Sequence, residues 1–135
     1  MTDTQIKEIQ SGMESYLTGI KARLESSMTV KTLQWDSEDG TWGSFLLSVE
    51  TPQDGVWNLT IRLNANIIPN VKNIPLDDFL RKLEKGHDIQ PVVNLTATVS
   101  TVGNIRSEYA LFATSLMKRA VEGYKDILKS MADQF

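Results

Sequence analysis

Residues 56–65 read Val-Trp-Asn-Leu-Thr-Ile-Arg-Leu-Asn-Ala, and their alternation decides the fold class. Trp57, Leu59, Ile61 and Leu63 occupy one parity; Asn58, Thr60, Arg62 and Asn64 occupy the other. A strand turns successive side chains to opposite faces, so this segment calls for a sheet with one dry face and one wet face. The same period extends upstream. From Thr41 to Glu50, Phe45, Leu47 and Val49 share one face while Ser44 and Ser48 take the other, and from Met28 the β-branched Thr29, Val30 and Thr32 lead into a strand ending near Trp35. Asp36-Ser37-Glu38-Asp39-Gly40 and Pro52-Gln53-Asp54-Gly55 supply turn residues between the runs. Three antiparallel strands in a meander follow.

Downstream, Ile67-Ile68-Pro69-Asn70 is expected to leave the sheet, and Pro75 to open a short helix whose stripe of Leu76, Phe79, Leu80 and Leu83 ends at Gly86. Pro91 opens a fourth strand, with Val93, Leu95, Ala97 and Val99 facing inward and Asn94, Thr96, Thr98 and Ser100 outward. After a turn at Val102-Gly103-Asn104, residues 105–111 fit either a fifth strand or the start of a helix. The spacing of Ser107, Tyr109, Phe112, Leu116, Ala120, Tyr124, Ile127 and Met131 favours a helix from about 107 to 132. At the other end, Ile6, Ile9, Met13, Leu17, Ile20 and Leu24 mark a helix from about 4 to 27. Thr2 and Gln5 are spaced for a capping box, and Gly12 costs this helix about 1 kcal/mol relative to alanine. The fold class read from these patterns is α+β: an antiparallel four- or five-stranded sheet with three helices, including the long N- and C-terminal ones, packed on one face. Residues 1–135 form a single domain, since no linker or repeat divides them.

Composition narrows the function. Hydrophobic residues make up 41% and charged residues 23%, as in an ordinary folded domain. Fourteen Lys and Arg against seventeen Asp and Glu leave a formal charge of −3, without the basic cluster that nucleic-acid binding draws on. The opening segment MTDTQIKEIQSGMESYLTGI is polar and periodic, and no apolar run reaches membrane-span length, so a cytoplasmic protein with no membrane contact is expected. The absence of cysteine removes disulfides and thiol chemistry. Asn58-Leu59-Thr60 and Asn94-Leu95-Thr96 match the glycosylation sequon but read as strand residues here.

Few residues carry chemistry. Asp36, Glu38, Asp39 and Gly40 resemble part of a calcium loop, but with glycine at its sixth position Trp35 falls where the first carboxylate ligand belongs, so no metal site is assigned. His87 and Asp88 form an acid–base pair only if a cleft surrounds them, and no nucleophile stands beside them in the sequence. Asp77 and Asp78 are first-turn acids of the helix that begins at Pro75, complementing its dipole. No catalytic residue and no cofactor is therefore assigned. The tryptophans are more informative: Trp35, Trp42 and Trp57 all lie on the meander. Trp57 is expected in the core. Trp42 has the parity of Ser44, Leu46 and Ser48, so Trp42 and Leu46 are expected to form an outward apolar patch, and Trp42, Leu46 and Trp35 are the candidate partner-binding residues.

The helix IKEIQSGMESYLTGIKARL, the meander through WNLTIRLNAN, the segment PLDDFLRKLEKG and the closing FATSLMKRAVEGYKDILKSM together resemble class I type III secretion chaperones and the related YbjN-like proteins over nearly the whole chain. That resemblance implies a homodimer that binds an unfolded segment of a partner protein on apolar surface patches, without turnover or cofactor. The leading expectation is a non-catalytic, chaperone-like protein-binding module. The alternative is a small-molecule or lipid carrier with a cavity between the sheet and the C-terminal helix, which would show as a lined space of several hundred Å3.

Overall fold

The computed structural model describes residues 2–37, 41–68, 77, 81 and 92–131. In chain order, helix α1 (Asp3–Leu24) precedes strands β1 (Thr29–Ser37), β2 (Trp42–Thr51), β3 (Gly55–Ile68) and β4 (Val92–Val102), and helix α2 (Ser107–Met131) closes the series. The strands form one antiparallel sheet in the order β1-β2-β3-β4.

α1 begins where its capping box predicts. Thr2 N donates to Gln5 Oε1 at 2.9 Å and Gln5 N donates to Thr2 Oγ1 at 3.2 Å, satisfying two amides that the first helical turn otherwise leaves open. Ile9, Met13, Leu17, Ile20 and Leu24 are buried along one stripe; Ile6 is only half-buried, and Gln5 takes the buried place at the start. α2 settles the ambiguity at residues 105–111, because the chain is helical from Ser107 and, among the described residues, the sheet has four strands. Its buried stripe is Ala113, Leu116, Met117, Ala120, Gly123, Tyr124, Leu128 and Met131. The stripe runs through Leu128 where Ile127 was expected, because Ile127 instead meets α1.

That meeting explains Gly12. A Cβ at Gly12 would stand 2.6 Å from Ile127 Cδ1, and one at Gly123 would stand 2.7 to 2.8 Å from the ring of Tyr16. Residue 12 faces 127 and residue 16 faces 123, so α1 and α2 run antiparallel, with matching four-residue steps interlocked as ridge into groove. The glycine that costs helix propensity lets the two helices approach closely.

Both helices cover the same sheet face. On it lie Trp35, Phe45, Leu47, Val49, Trp57, Leu59, Ile61, Leu63, Ala65 and Val93, all buried. Two expectations need correction. β3 does not end at Ala65; Ile67 and Ile68 stay in the sheet opposite Val93 and Val92, since β4 is long enough to pair with them. Val99 has the inward parity but is 57% exposed: in the row Trp35, Phe45, Ile61, Val99 burial holds for three strands and fails at the edge strand, beyond the reach of the helices. The described helices number two, and the short helix expected from Pro75 to Gly86 lies outside the described residues apart from Asp77 and Arg81, which are helical and exposed.

The β2–β3 turn is tied to the start of α2 through one carboxylate. Asp54 Oδ2 accepts from Thr51 Oγ1 at 3.1 Å and from the Arg106 amide at 3.3 Å, and it lies 3.9 Å from Arg106 Nε. Arg106 in turn presents its carbonyl to the amides of Tyr109 and Ala110, the first turn of the helix. Gly103, at φ +96°, makes the bend that brings the chain here, and a Cβ on it would stand 2.6 Å from the Val56 carbonyl oxygen. Asp54→Ala is expected to cost about 1–2 kcal/mol, the range for losing a helix-start acceptor, read as a lower denaturant midpoint at unchanged slope. An unaltered midpoint would show that the turn and α2 are not coupled through this group.

Candidate functional site

The outer face of the sheet is the one turned away from α1 and α2. Antiparallel register sorts it into rows: Trp42 beside Asn64 and Thr96; Asp36 beside Ser44, Arg62 and Thr98; Gln34 beside Leu46, Thr60 and Ser100; and Thr32 beside Ser48 and Asn58. Side chains on this face are mostly hydroxyls and amides, with a carboxylate at Asp36, a cation at Arg62, and apolar groups at Trp42, Leu46 and, opposite Asn58, Val102. Thr96 Oγ1 donates to the Asn64 carbonyl at 3.3 Å, joining β4 to β3 beside Trp42. Lys31 and Glu50 form an exposed pair at 3.4 Å near the far end of β2, a contact worth little in water.

Alternation places the candidate residues unequally. Trp42 is 42% exposed and stands on the outer face as expected. Leu46 shares that face but is half-buried. The two are four residues apart along β2, about 13 Å at strand rise, with Ser44 between them and Arg62 beside Ser44. They are two apolar points in a polar surface, not one continuous patch. Trp35 does not join them. It is 4% exposed on the helix-covered face, its ring centroid 4.6 Å from that of Phe45 and 4.8 Å from that of Tyr124. Its Nε1 is buried without a hydrogen-bond partner in the structure. The sequence rule that sets Trp42 outward sets Trp35 inward as well, because Trp35 pairs with Phe45 in the register.

Arg62, Asn64, Thr96 and Thr98 were read from sequence only as the wet side of their strands. With Trp42 and Leu63 they line a shallow concavity of about 490 Å3 on the outer face. A second shallow concavity, of about 280 Å3, surrounds Leu46 and includes Thr32, Ser48, Asn58 and Thr60. Bringing β4 against β3 creates the first of these, and the pairing of residues 64 and 96 across a long connection left no local signal in the chain. A third groove, of about 370 Å3, runs between α1 and β1 and is lined by Gln10, Glu14, Leu17, Lys21, Leu33 and Trp35 among others.

Most of the remaining candidates from sequence lie outside the described residues. Asp36 is exposed at the end of β1, while Glu38, Asp39 and Gly40 lie outside the described residues, as do Asp78, His87 and Asp88. Among the described residues, no three His, Cys, Asp or Glu side chains are grouped so as to hold a metal ion. No described helix is long and apolar enough to cross a membrane. No protein-family model matches the chain, and neither a curated protein nor a solved structure matches it.

Proposed function

We infer that this protein is a non-catalytic, chaperone-like binding module that holds a segment of a partner protein on the outer face of its sheet, around Trp42 and Leu46. The observation that carries this reading is the contrast among the tryptophans: Trp35 and Trp57 are 4% and 5% exposed, whereas Trp42 is 42% exposed on the face away from α1 and α2. Trp and Arg are enriched among the residues that dominate interface energy, and Trp42 stands one row from Arg62. The surrounding hydroxyls and amides offer donors and acceptors to a partner's backbone while Trp42 and Leu46 supply apolar contact. The arrangement needs no bond-making group, and the resemblance to secretion chaperones points in the same direction.

The carrier reading draws less support. The space between sheet and α2 holds Phe45, Leu47, Leu59, Leu63, Met117, Tyr124 and Leu128, each at most 2% exposed, so that interface is filled by side chains.

Wild-type and Trp42→Ala proteins used in parallel as bait, followed by direct titration of the recovered partner, test the proposal. The variant should retain its circular dichroism and bind at least about tenfold more weakly, equivalent to about 1.4 kcal/mol. Because Trp42 is the exposed tryptophan, acrylamide quenching of native fluorescence reports on it, and the partner should reduce that quenching. Equal affinity for both proteins would remove the outer face from the function.

A further inference from the structure

We propose that the outer face selects an acidic residue set between two apolar ones: an extended partner segment lays apolar side chains on Trp42 and Leu46 and, midway between them, a carboxylate on Arg62. This rests on the outer-face reading above and names the chemistry of the segment held there.

Arg62 is the observation that points to a carboxylate. It is exposed on β3, opposite Ser44 and beside Thr98, in the row between those of Trp42 and Leu46. Three other cations stand near acids of this chain: Lys21 Nζ lies 3.9 Å from Glu25, Lys31 Nζ 3.4 Å from Glu50 and Arg106 Nε 3.9 Å from Asp54. Among the described residues, no hydrogen bond or ion pair engages Arg62. Asp36 shares its row, but Ser44 lies between them, and two strand spacings, about 10 Å, separate their backbones. Salt at physiological strength screens exposed charges over about that distance. The guanidinium therefore keeps its donors for a ligand, and its planar fork matches a carboxylate with two parallel hydrogen bonds. Ser44 and Thr98 flank it in the same row, with hydroxyls that can donate to the same group.

Spacing supplies the rest of the pattern. Side chains on one face of an extended chain recur about every 6.7 Å, two residues apart. Trp42, Ser44 and Leu46 follow that repeat on β2, and Arg62 stands at the middle step, one strand to the side. An extended segment lying along the strands thus sets its residues i, i+2 and i+4 over Trp42, Arg62 and Leu46. The shallow concavities at Trp42 and at Leu46, about 490 and 280 Å3, give the two end residues separate seats. At the middle position a cation would meet like charge, and an apolar side chain would strip water from the guanidinium without replacing its hydrogen bonds.

The test is a display library of extended peptides randomised at i, i+2 and i+4, with Ser and Thr between, selected on wild type. Asp or Glu should be enriched at i+2 and apolar residues at i and i+4. By fluorescence anisotropy, a labelled selected peptide should bind at least about tenfold more tightly than the same peptide with the amide in place of the acid. That ratio should shrink as salt is raised, a readout that needs no variant. Arg62→Gln, folded by circular dichroism, should bring the ratio to one, and Arg62→Glu should shift the enrichment at i+2 to Lys and Arg. Basic or uncharged residues selected at i+2, no selection at all, or an acid preference that Arg62→Gln retains would overturn the proposal. Peptides without an acid that bind wild type but not Trp42→Ala would sink it and leave the outer-face reading standing. Acidic peptides that bind Trp42→Ala as tightly as wild type would remove both.

Discussion

Gly43→Ala is expected to destabilise the domain by about 3 kcal/mol or more, the upper part of the range for overpacked cores, although it adds a single methyl group. The Trp35 side chain lies across Gly43 on the neighbouring strand. A Cβ at that position would overlap Cη2 and Cζ2 of the indole and stand 2.7 Å from Cζ3. The ring cannot easily withdraw, since Phe45 and Tyr124 hold it at centroid distances of 4.6 and 4.8 Å and it is 4% exposed. Contrast Gly12, where the atom in the way is the terminal methyl of Ile127, which can rotate. A double-mutant cycle separates a steric clash from a general intolerance of alanine. In a Trp35→Phe background the distal part of the indole is gone, and Gly43→Ala should then cost less than about 1 kcal/mol. Trp35→Phe also removes an N–H that is buried without an acceptor, which offsets part of its lost contact area. Denaturant unfolding of the four proteins, followed by circular dichroism, measures the coupling. An equal cost of Gly43→Ala in both backgrounds would contradict the proposed fit.

Tyr124→Ala is expected to cost about 3–5 kcal/mol, a large share of the 5–15 kcal/mol typical of a domain's total stability. Tyr124 is fully buried on the inner stripe of α2 and its ring meets Trp35 on β1, so it joins the last helix to the edge strand farthest from it in the sheet order. Removing it leaves a cavity where helix and sheet meet, and Trp35 loses a ring neighbour. Leu111 on the same helix provides the comparison. It is 68% exposed, and Leu111→Ala should change stability by no more than about 0.5 kcal/mol. Thermal and denaturant melts of both variants check the pair. Similar costs at the two positions would mean that the buried face of α2 has been misidentified.

Legibility in the sequence followed the range of the interaction concerned. The capping box of Thr2 and Gln5 spans three residues and was readable because its partners are neighbours along the chain. The inward set Phe45, Leu47, Val49, Trp57, Leu59, Ile61 and Leu63 was readable because strand parity is strictly local and helices cover that face. The same parity misplaced Val99. Parity states which way a side chain points, not whether anything lies above it, and β4 is at the margin of the sheet. Trp42 and Leu46 were correctly set on the outer face, but their separation by the Ser44 and Arg62 row required the cross-strand register. Trp35 was grouped with them for its residue type, and the register places it against Phe45 instead.

Periodicity alone determined that this chain makes an antiparallel sheet between two long amphipathic helices, because the periods 2 and 3.6 follow from backbone geometry and each residue's polarity is fixed before folding. Tertiary structure alone decided why Gly12, Gly43 and Gly123 are glycines, which hydroxyls and amides gather around Trp42, and which strands flank the sheet among the described residues. Those features are distances between segments remote in sequence. They exist only once register and helix crossing have been set by the packing of the whole core.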